Sequence, residues 1–274
     1  MRPERKIAIV CSGGGMRCAY TGGALIALAR EFQMTSPDII IASSGSAGMA
    51  FYYLTGQYQA LKDICVELLS TPQFISFLRF WKIIDIDYLI DEVFQKQRPL
   101  RVEALRMTNY FIPITEVPAG STRYVSSKDN IEPLELLRAT KALPILFGKT
   151  VKLHGKNYVD GAVVMTLRDN VRRANELGAS HVIVIDTSTN SRTFDLVKAF
   201  FLRLYFPKLK TTLPPQEKFS APLITIQNKK NPAGLLTRKR EILEKIFQMG
   251  YDDIAQNAEL KKLLCPPTQK QPLE

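Results

Sequence analysis

The 274-residue chain carries 37 Lys and Arg against 26 Asp and Glu, a formal charge of +11, with 46% hydrophobic residues, 15 Gly and 16 Pro. That apolar content excludes a disordered tract or a fibre and suffices for a packed core. Its four cysteines, Cys11, Cys18, Cys65 and Cys265, show no CxxC pair or metal-ligand spacing, which excludes a disulfide framework and points to reduced thiols.

In chain order, Lys6 to Cys11 reads as a short buried strand running into glycines, and Met16 to Phe32 reads as a helix from its length and Ala/Leu content. Pro37 to Ala42 is a second apolar strand, closed by Ser43-Ser44-Gly45-Ser46-Ala47-Gly48 and followed by a helix from Met49 to Leu54. Strand, small-residue turn and helix thus occur twice in succession, which predicts an α/β fold with a mainly parallel sheet and helices on its faces.

Residues 58 to 107 read as largely helical, broken at Pro72 and Pro99. Asn109 to Thr115 and Arg123 to Ser126 read as strands, and Glu132 to Ala142 as a helix ending before Pro144. Val151 to Leu153 and Tyr158-Val159 flank Gly155-Lys156-Asn157 as a hairpin. A helix from Val171 to Leu177 stops at Gly178, and a buried strand runs from His181 to Asp186. Leu223 to Gln227 reads as a further strand, before a charged helix from about Leu235 to Met249. Residues 205 to 222 are linker-like. The length fits one domain over 1–274 with a basic C-terminal segment from about 195 to 274, where eleven cations face four acids between Asp195 and Lys245.

No apolar run reaches the ~18 residues of a membrane-spanning helix, and the N-terminal apolar stretch breaks too early for a standard signal peptide, so a cytoplasmic protein is expected. The cationic excess is compatible with nucleic acid, an anionic membrane or solubility. No nucleic-acid-binding motif accompanies it, and no protein partner is inferable.

Chemistry concentrates at the two strand-to-helix turns. Gly13-Gly14-Gly15 at the first lets backbone amides face a ligand without Cβ obstruction, and the following helix start adds positive potential. A phosphate loop would need a Gly-Lys-Ser/Thr ending, and a dinucleotide fingerprint an acidic residue where Ser43-Ser44 stand. The second turn, Ser44-Gly45-Ser46-Ala47-Gly48, fits the elbow pattern G-x-S-x-G with Ser46 as nucleophile, except that its first glycine is Ser44. A plain helix-capping turn is the competing reading.

Two histidines are available as bases. His181 lies at the start of its strand, away from the elbow, and His154 beside a hairpin turn. The stronger candidate is Asp160, which ends a strand and precedes Gly161; an Asp-Gly turn is its ordinary use. Asp186 is the fallback base, with a capping role as the alternative.

In that order, Gly13-Gly14-Gly15-Met16-Arg17-Cys18, the elbow at Ser46 and Asp160-Gly161-Ala162 resemble the patatin-like phospholipase family, whose members carry G-G-G-x-R/K-G, G-x-S-x-G and D-G-G/A motifs. The resemblance runs from about Lys6 to Asp186. It implies a three-layer α/β/α patatin-like fold and a serine lipid acyl hydrolase of the phospholipase A or lysophospholipase type, with no cofactor and no metal. Matched residue by residue, it implies Ser46 as nucleophile, Asp160 as base, and Gly13, Gly14, Gly15 and Arg17 as the oxyanion loop. The chain departs from the pattern at Cys18 and Ser44. The alternative is a weakly active or inactive module of the same family that binds lipid or an anionic membrane. The expected partner is a phospholipid or lysophospholipid, with peripheral contact at an anionic membrane.

Two further stretches stand out. Phe74, Phe77, Leu78, Phe80, Trp81, Ile83 and Ile84, with Arg79 and Lys82, suit an acyl-chain channel or an interfacial lid, against ordinary helix packing. Phe200 to Phe206, followed by Lys208 and Lys210, suits docking on an anionic bilayer, against a buried element beside a loop.

Overall fold

The structure is a computed structural model that describes residues 5–79, 81–143, 146–188, 206 and 220–265. The linker-like segment up to Phe219 and the aromatic-basic stretch from Phe200 to Lys210, Phe206 excepted, lie outside the described residues, as do Phe80 and Pro144.

Apolar runs form the centre. Strands β1 (Ile7–Cys11), β2 (Ile39–Ala42), β3 (Tyr110–Val117), β7 (His181–Asp186) and β8 (Leu223–Gln227) pair in parallel in the order β3-β2-β1-β7-β8. Side chains alternate across this sheet with period two. Ile7, Ile9 and Cys11 of β1 enter one apolar cluster, and Ala8 and Val10 the other. Both faces are therefore covered, which is why these strands are apolar at nearly every position.

The first face carries helices α1 (Cys18–Phe32), α2 (Gly45–Leu54) and α3 (Tyr58–Val66), together with α6 (Arg240–Ala255) and the short α7 (Ala258–Leu264). The second carries α5 (Leu167–Glu176), whose Val171 and Ala174 pack on the sheet and whose start is fixed by a Thr166–Asp169 capping box. The result is the expected three-layer α/β/α arrangement. No helix among the described residues is long and apolar enough to cross a membrane.

Antiparallel strands complete one side: β4 (Thr122–Ser126), β5 (Val151–Leu153) and β6 (Lys156–Asp160). The β5–β6 hairpin turns at His154 and Gly155, both at positive φ (46° and 82°), as a tight primed turn requires. Strand β3 is the junction. Phe111 pairs with Ser126 of β4 and Ile41 of β2, whereas Ile114 pairs with Arg123 of β4 and Asp160 of β6. A strand has two edges, so β2 and β6 occupy successive stretches of the edge opposite β4. They point toward each other end to end: β2 finishes at Ala42 where antiparallel β6 finishes at Asp160.

Residues 58–107 depart from the expected helical reading. After α3 and a turn at Leu68–Ser70, residues 74–86 form an irregular hairpin with an Ile75–Ile84 antiparallel bridge. A wide helical segment follows at Tyr88–Gln97, and α4 (Pro133–Ala139) comes after β4. The helical reading of the aromatic run fails because its apolar residues do not keep a helical period, and the Ile75–Ile84 bridge pairs its two ends antiparallel instead.

Candidate active site

The first glycine turn is held from two sides. Ser12 N donates to Ile185 O at 3.0 Å, and Met16 N to Leu235 O at 3.0 Å. Between them Gly15 adopts φ +55°, and a Cβ there would lie 2.6 Å from Leu235 O, so both backbone shape and space demand glycine. Among the described residues, no protein acceptor takes the amides of Gly13, Gly14 or Gly15. Arg17 is buried beneath this loop, its Nε 3.3 Å from where a Gly14 Cβ would stand, and burial lowers its pKa.

At the second turn, the strand and the helix are separated by only Ser43 and Ser44. Ser44 is the N-cap of α2 with φ 56° and ψ −128°, a conformation that L-residues other than Gly, Asn and Asp seldom adopt and that costs roughly 1–3 kcal/mol. Three hydrogen bonds from the segment after α4 clamp this end of the sheet. Ser44 N donates to Thr140 Oγ1 at 3.2 Å, Thr140 Oγ1 donates to Pro113 O at 3.1 Å, and Lys141 Nζ donates to Ser44 O at 2.8 Å. One residue further, Asp160 N donates to Ala142 O at 3.1 Å. Residues 140–142 thereby fix the elbow and the end of β6 together.

Ser46, the serine picked out by the G-x-S-x-G match, lies in the first turn of α2 and is 0% exposed. Its Oγ donates to Ser12 O at 2.6 Å, within reach of Thr21 Oγ1 (3.1 Å) and Cys18 Sγ (3.2 Å). It braces the glycine loop from below. Ser44, which the pattern reads as a substituted glycine, lies at the apex of the strand-to-helix turn.

Asp160 is fully buried and caps the following turn, its Oδ1 accepting Ala162 N at 2.9 Å. Gly161 is required there because a Cβ would stand 2.4 Å from Pro113 O. Ser44 and Ala162 flank Gly13 from two sides, 2.9 and 3.6 Å from the position of a Gly13 Cβ. The glycine loop, the elbow and the Asp160 turn therefore converge.

A narrow cavity opens beside the second turn, where Gly15, Ser44 and Gly45 meet. Its polar end is formed by Ser44, Gly45, Gly15 and Lys141, and the remainder is apolar, including Met49, Phe74, Ile84, Leu89 and Phe94. Neither Ser46 nor Asp160 is in its wall. Lys141, which the sequence analysis passed over, is 5% exposed; burial pushes its pKa down to about 8, against the opposing charges of Cys18 and Asp160.

The other base candidates are placed elsewhere. His181 begins β7 opposite Ile7, at the far end of the sheet from the elbow, and exposed His154 bonds Asn130 O at 2.9 Å. Asp186 accepts Ser188 N, Ser188 Oγ and Gln227 Nε2, the capping role expected of it. Among the described residues, no group of three His, Cys, Asp or Glu side chains is placed to hold a metal ion.

Against known proteins, residues 9–171 match the family described as patatin-like phospholipase, more than half of the chain. The uncharacterized protein YjjU of Escherichia coli is 28% identical over 191 residues, covering 66% of this chain and 52% of YjjU, so the chain spans about half the length of that curated relative. Among solved structures, VipD from Legionella pneumophila is similar with a TM-score of 0.51 at 12% identity, over 93% of this chain and 66% of VipD, a likeness of fold. Human GIVD cytosolic phospholipase A2 in complex with a fluorophosphonate inhibitor aligns at a TM-score of 0.46 and 13% identity, over 95% of this chain and 58% of that one.

Proposed function

The chain belongs to the patatin-like phospholipase family, and from that premise we propose that it is a serine hydrolase of lipid acyl esters, acting on phospholipids or lysophospholipids, with Ser44 as nucleophile and Asp160 as base. The observation that carries this reading is the backbone of Ser44. A serine held at φ 56°, ψ −128° between a strand end and a helix start has the strained geometry of a nucleophile elbow, and Ser44 also walls the apolar cavity. The expectation of Ser46 shifts by two residues for a physical reason. Ser46 follows the strand by four residues, so it falls on the inward face of the first helical turn, where its hydroxyl is spent on Ser12 O. Around Ser44 the pentapeptide is Ala42-Ser43-Ser44-Gly45-Ser46, with Ala42 and Ser46 where the pattern has glycines.

In this reading the acyl chain lies along the apolar part of the cavity, bringing the ester carbonyl to Ser44 Oγ. As Oγ attacks, its proton passes to the Asp160 carboxylate, and the amides of Gly13 to Gly15 hold the oxyanion. Collapse of the intermediate expels the alcohol, which takes the proton from Asp160. Water deprotonated by Asp160 then attacks the acyl-enzyme and releases the fatty acid. The Lys141 ammonium, bonded to the Ser44 carbonyl, steadies the elbow and favours the ionised form of Asp160.

The test is a fluorophosphonate probe together with fatty-acid release from phospholipids, lysophospholipids and neutral glycerides. Wild type and Ser46→Ala are expected to label and turn over; Ser44→Ala is expected to do neither. Labelling of folded Ser44→Ala with loss in Ser46→Ala returns the nucleophile to Ser46. A wild-type protein that binds these lipids but neither labels nor turns over is a binding module instead.

A further inference from the structure

The hairpin at 74–86 has two ends of different character. Near its base, Phe74, Ile75, Ile84 and Ile86 wall the cavity that Ser44 opens onto. At its tip, Phe77 is 60% exposed, Leu78 90% and Trp81 63%, the last being the single tryptophan of the chain. Leaving three large apolar side chains mostly exposed to water is unfavourable, yet the tip is firmly built. Ser76 N donates to Ile83 O at 2.9 Å, and Arg79 bonds Asp85 at 3.1 Å and Gln73 O at 2.9 Å. From the far side Arg238 Nη1 donates to Ile75 O at 2.9 Å and its guanidinium stands 5.8 Å from the Phe77 ring. Lys239 and Arg240, both exposed, follow it, Arg240 paired with Glu67 at 2.8 Å.

We propose that this tip docks the protein on an anionic lipid surface, with Phe77, Leu78 and Trp81 entering the interface and Arg238 and Lys239 facing the headgroups. Two observations favour a bilayer over a protein partner. Among the described residues the exposed apolar side chains of this tip are Phe77, Leu78 and Trp81, whereas a stable protein interface needs some 20–30 residues a side. A tryptophan and a phenylalanine flanked by cations, on a chain of formal charge +11, is the composition of a membrane-interface anchor. Docked this way, the cavity behind the hairpin faces the source of acyl chains. That consequence rests on the hydrolase reading, whereas the docking itself does not.

Trp81 reports on the tip without any label. The full chain is mixed with vesicles of diether phosphatidylcholine, with or without diether phosphatidylglycerol, which carry no ester to cleave, and Trp81 emission is followed. The expected result is a blue shift and quenching by brominated chains, stronger with phosphatidylglycerol and weaker with salt. Leu78→Asp is expected to weaken vesicle affinity roughly tenfold or more, and Lys239→Glu by roughly fivefold. Emission unmoved by either vesicle overturns the proposal. So does a shift that follows protein concentration alone, with dimers in sedimentation, because the occupant is then a second copy. Turnover of a water-soluble short-chain ester in the same samples separates the two claims: turnover without a Trp81 shift removes the docking and leaves the hydrolase, and a shift without turnover does the reverse.

Discussion

Lys141 donates from Nζ to the carbonyl of Ser44 at 2.8 Å while almost wholly buried. A buried ammonium carries a desolvation cost, seen in a pKa pushed down to about 8 from an ordinary value near 10.4. The folded protein therefore releases this proton before the unfolded chain does. Between about pH 8 and 10 the unfolded state binds more protons at this position, so the lysine's contribution to stability rises with pH, by up to a few kcal/mol. Buried Cys11, Cys18 and Cys65, whose pKa values burial raises, act in the opposite sense. The informative quantity is thus the difference between wild type and Lys141→Met in urea melts, which should shift toward wild type as pH climbs from 8 to 10. In turnover, wild type should lose activity above about pH 8 as the ammonium is lost, and Lys141→Met should be slower by tenfold or more and lack that limb.

Ser46→Ala separates structure from chemistry. Its hydroxyl is the donor to Ser12 O, and deleting it leaves a buried carbonyl poorly satisfied, at about 1–3 kcal/mol. Thermal or urea melting should register that loss. Turnover below the melting transition should stay within a few-fold of wild type.

Asp160→Asn keeps the side chain's shape and its acceptor oxygen for Ala162 N while removing the carboxylate. Turnover should fall by ~10²–10⁴, the worth of a positioned base, with little change in melting. Gly161→Ala should combine both losses, since its Cβ would press to 2.4 Å from Pro113 O and push the end of β6 off β3. Comparing melting with single-turnover rates distinguishes the two variants.

If the acyl chain lies in the apolar cavity, as proposed, the cavity wall limits its length. Ala19, in its wall, leaves room that a larger side chain would take. Ala19→Phe should lower kcat/KM for long-chain esters relative to short-chain ones by roughly tenfold or more, at ~1–3 kcal/mol from overpacking. Equal loss across chain lengths would mean that the chain lies elsewhere.

Much of the fold was legible because period and apolarity carry it. The runs Ile7–Cys11, Ile39–Ala42 and His181–Asp186 are apolar on both faces, and the sheet buries both. The order of glycine loop, serine turn and Asp160 was equally plain. The backbone within the serine turn was not, because three serines in four positions leave open which of them stands at the turn, and only the end of the strand at Ala42 puts Ser44 there and Ser46 on the first turn of α2. Lys141 was illegible for another reason: in Ala139-Thr140-Lys141-Ala142 it reads as the solvated face of a helix, and only the end of α4 at Ala139 turns it inward.

Strand β3 acts as a ruler. The elbow and the Asp160 turn lie more than a hundred residues apart in sequence, yet their separation is counted out by the few residues between Phe111 and Ile114, at about 3.3 Å each. One residue inserted in that interval would move the two ends apart by a strand step and turn one of them to the opposite face of the sheet. Loops elsewhere in the chain can lengthen freely; those few residues of β3 cannot.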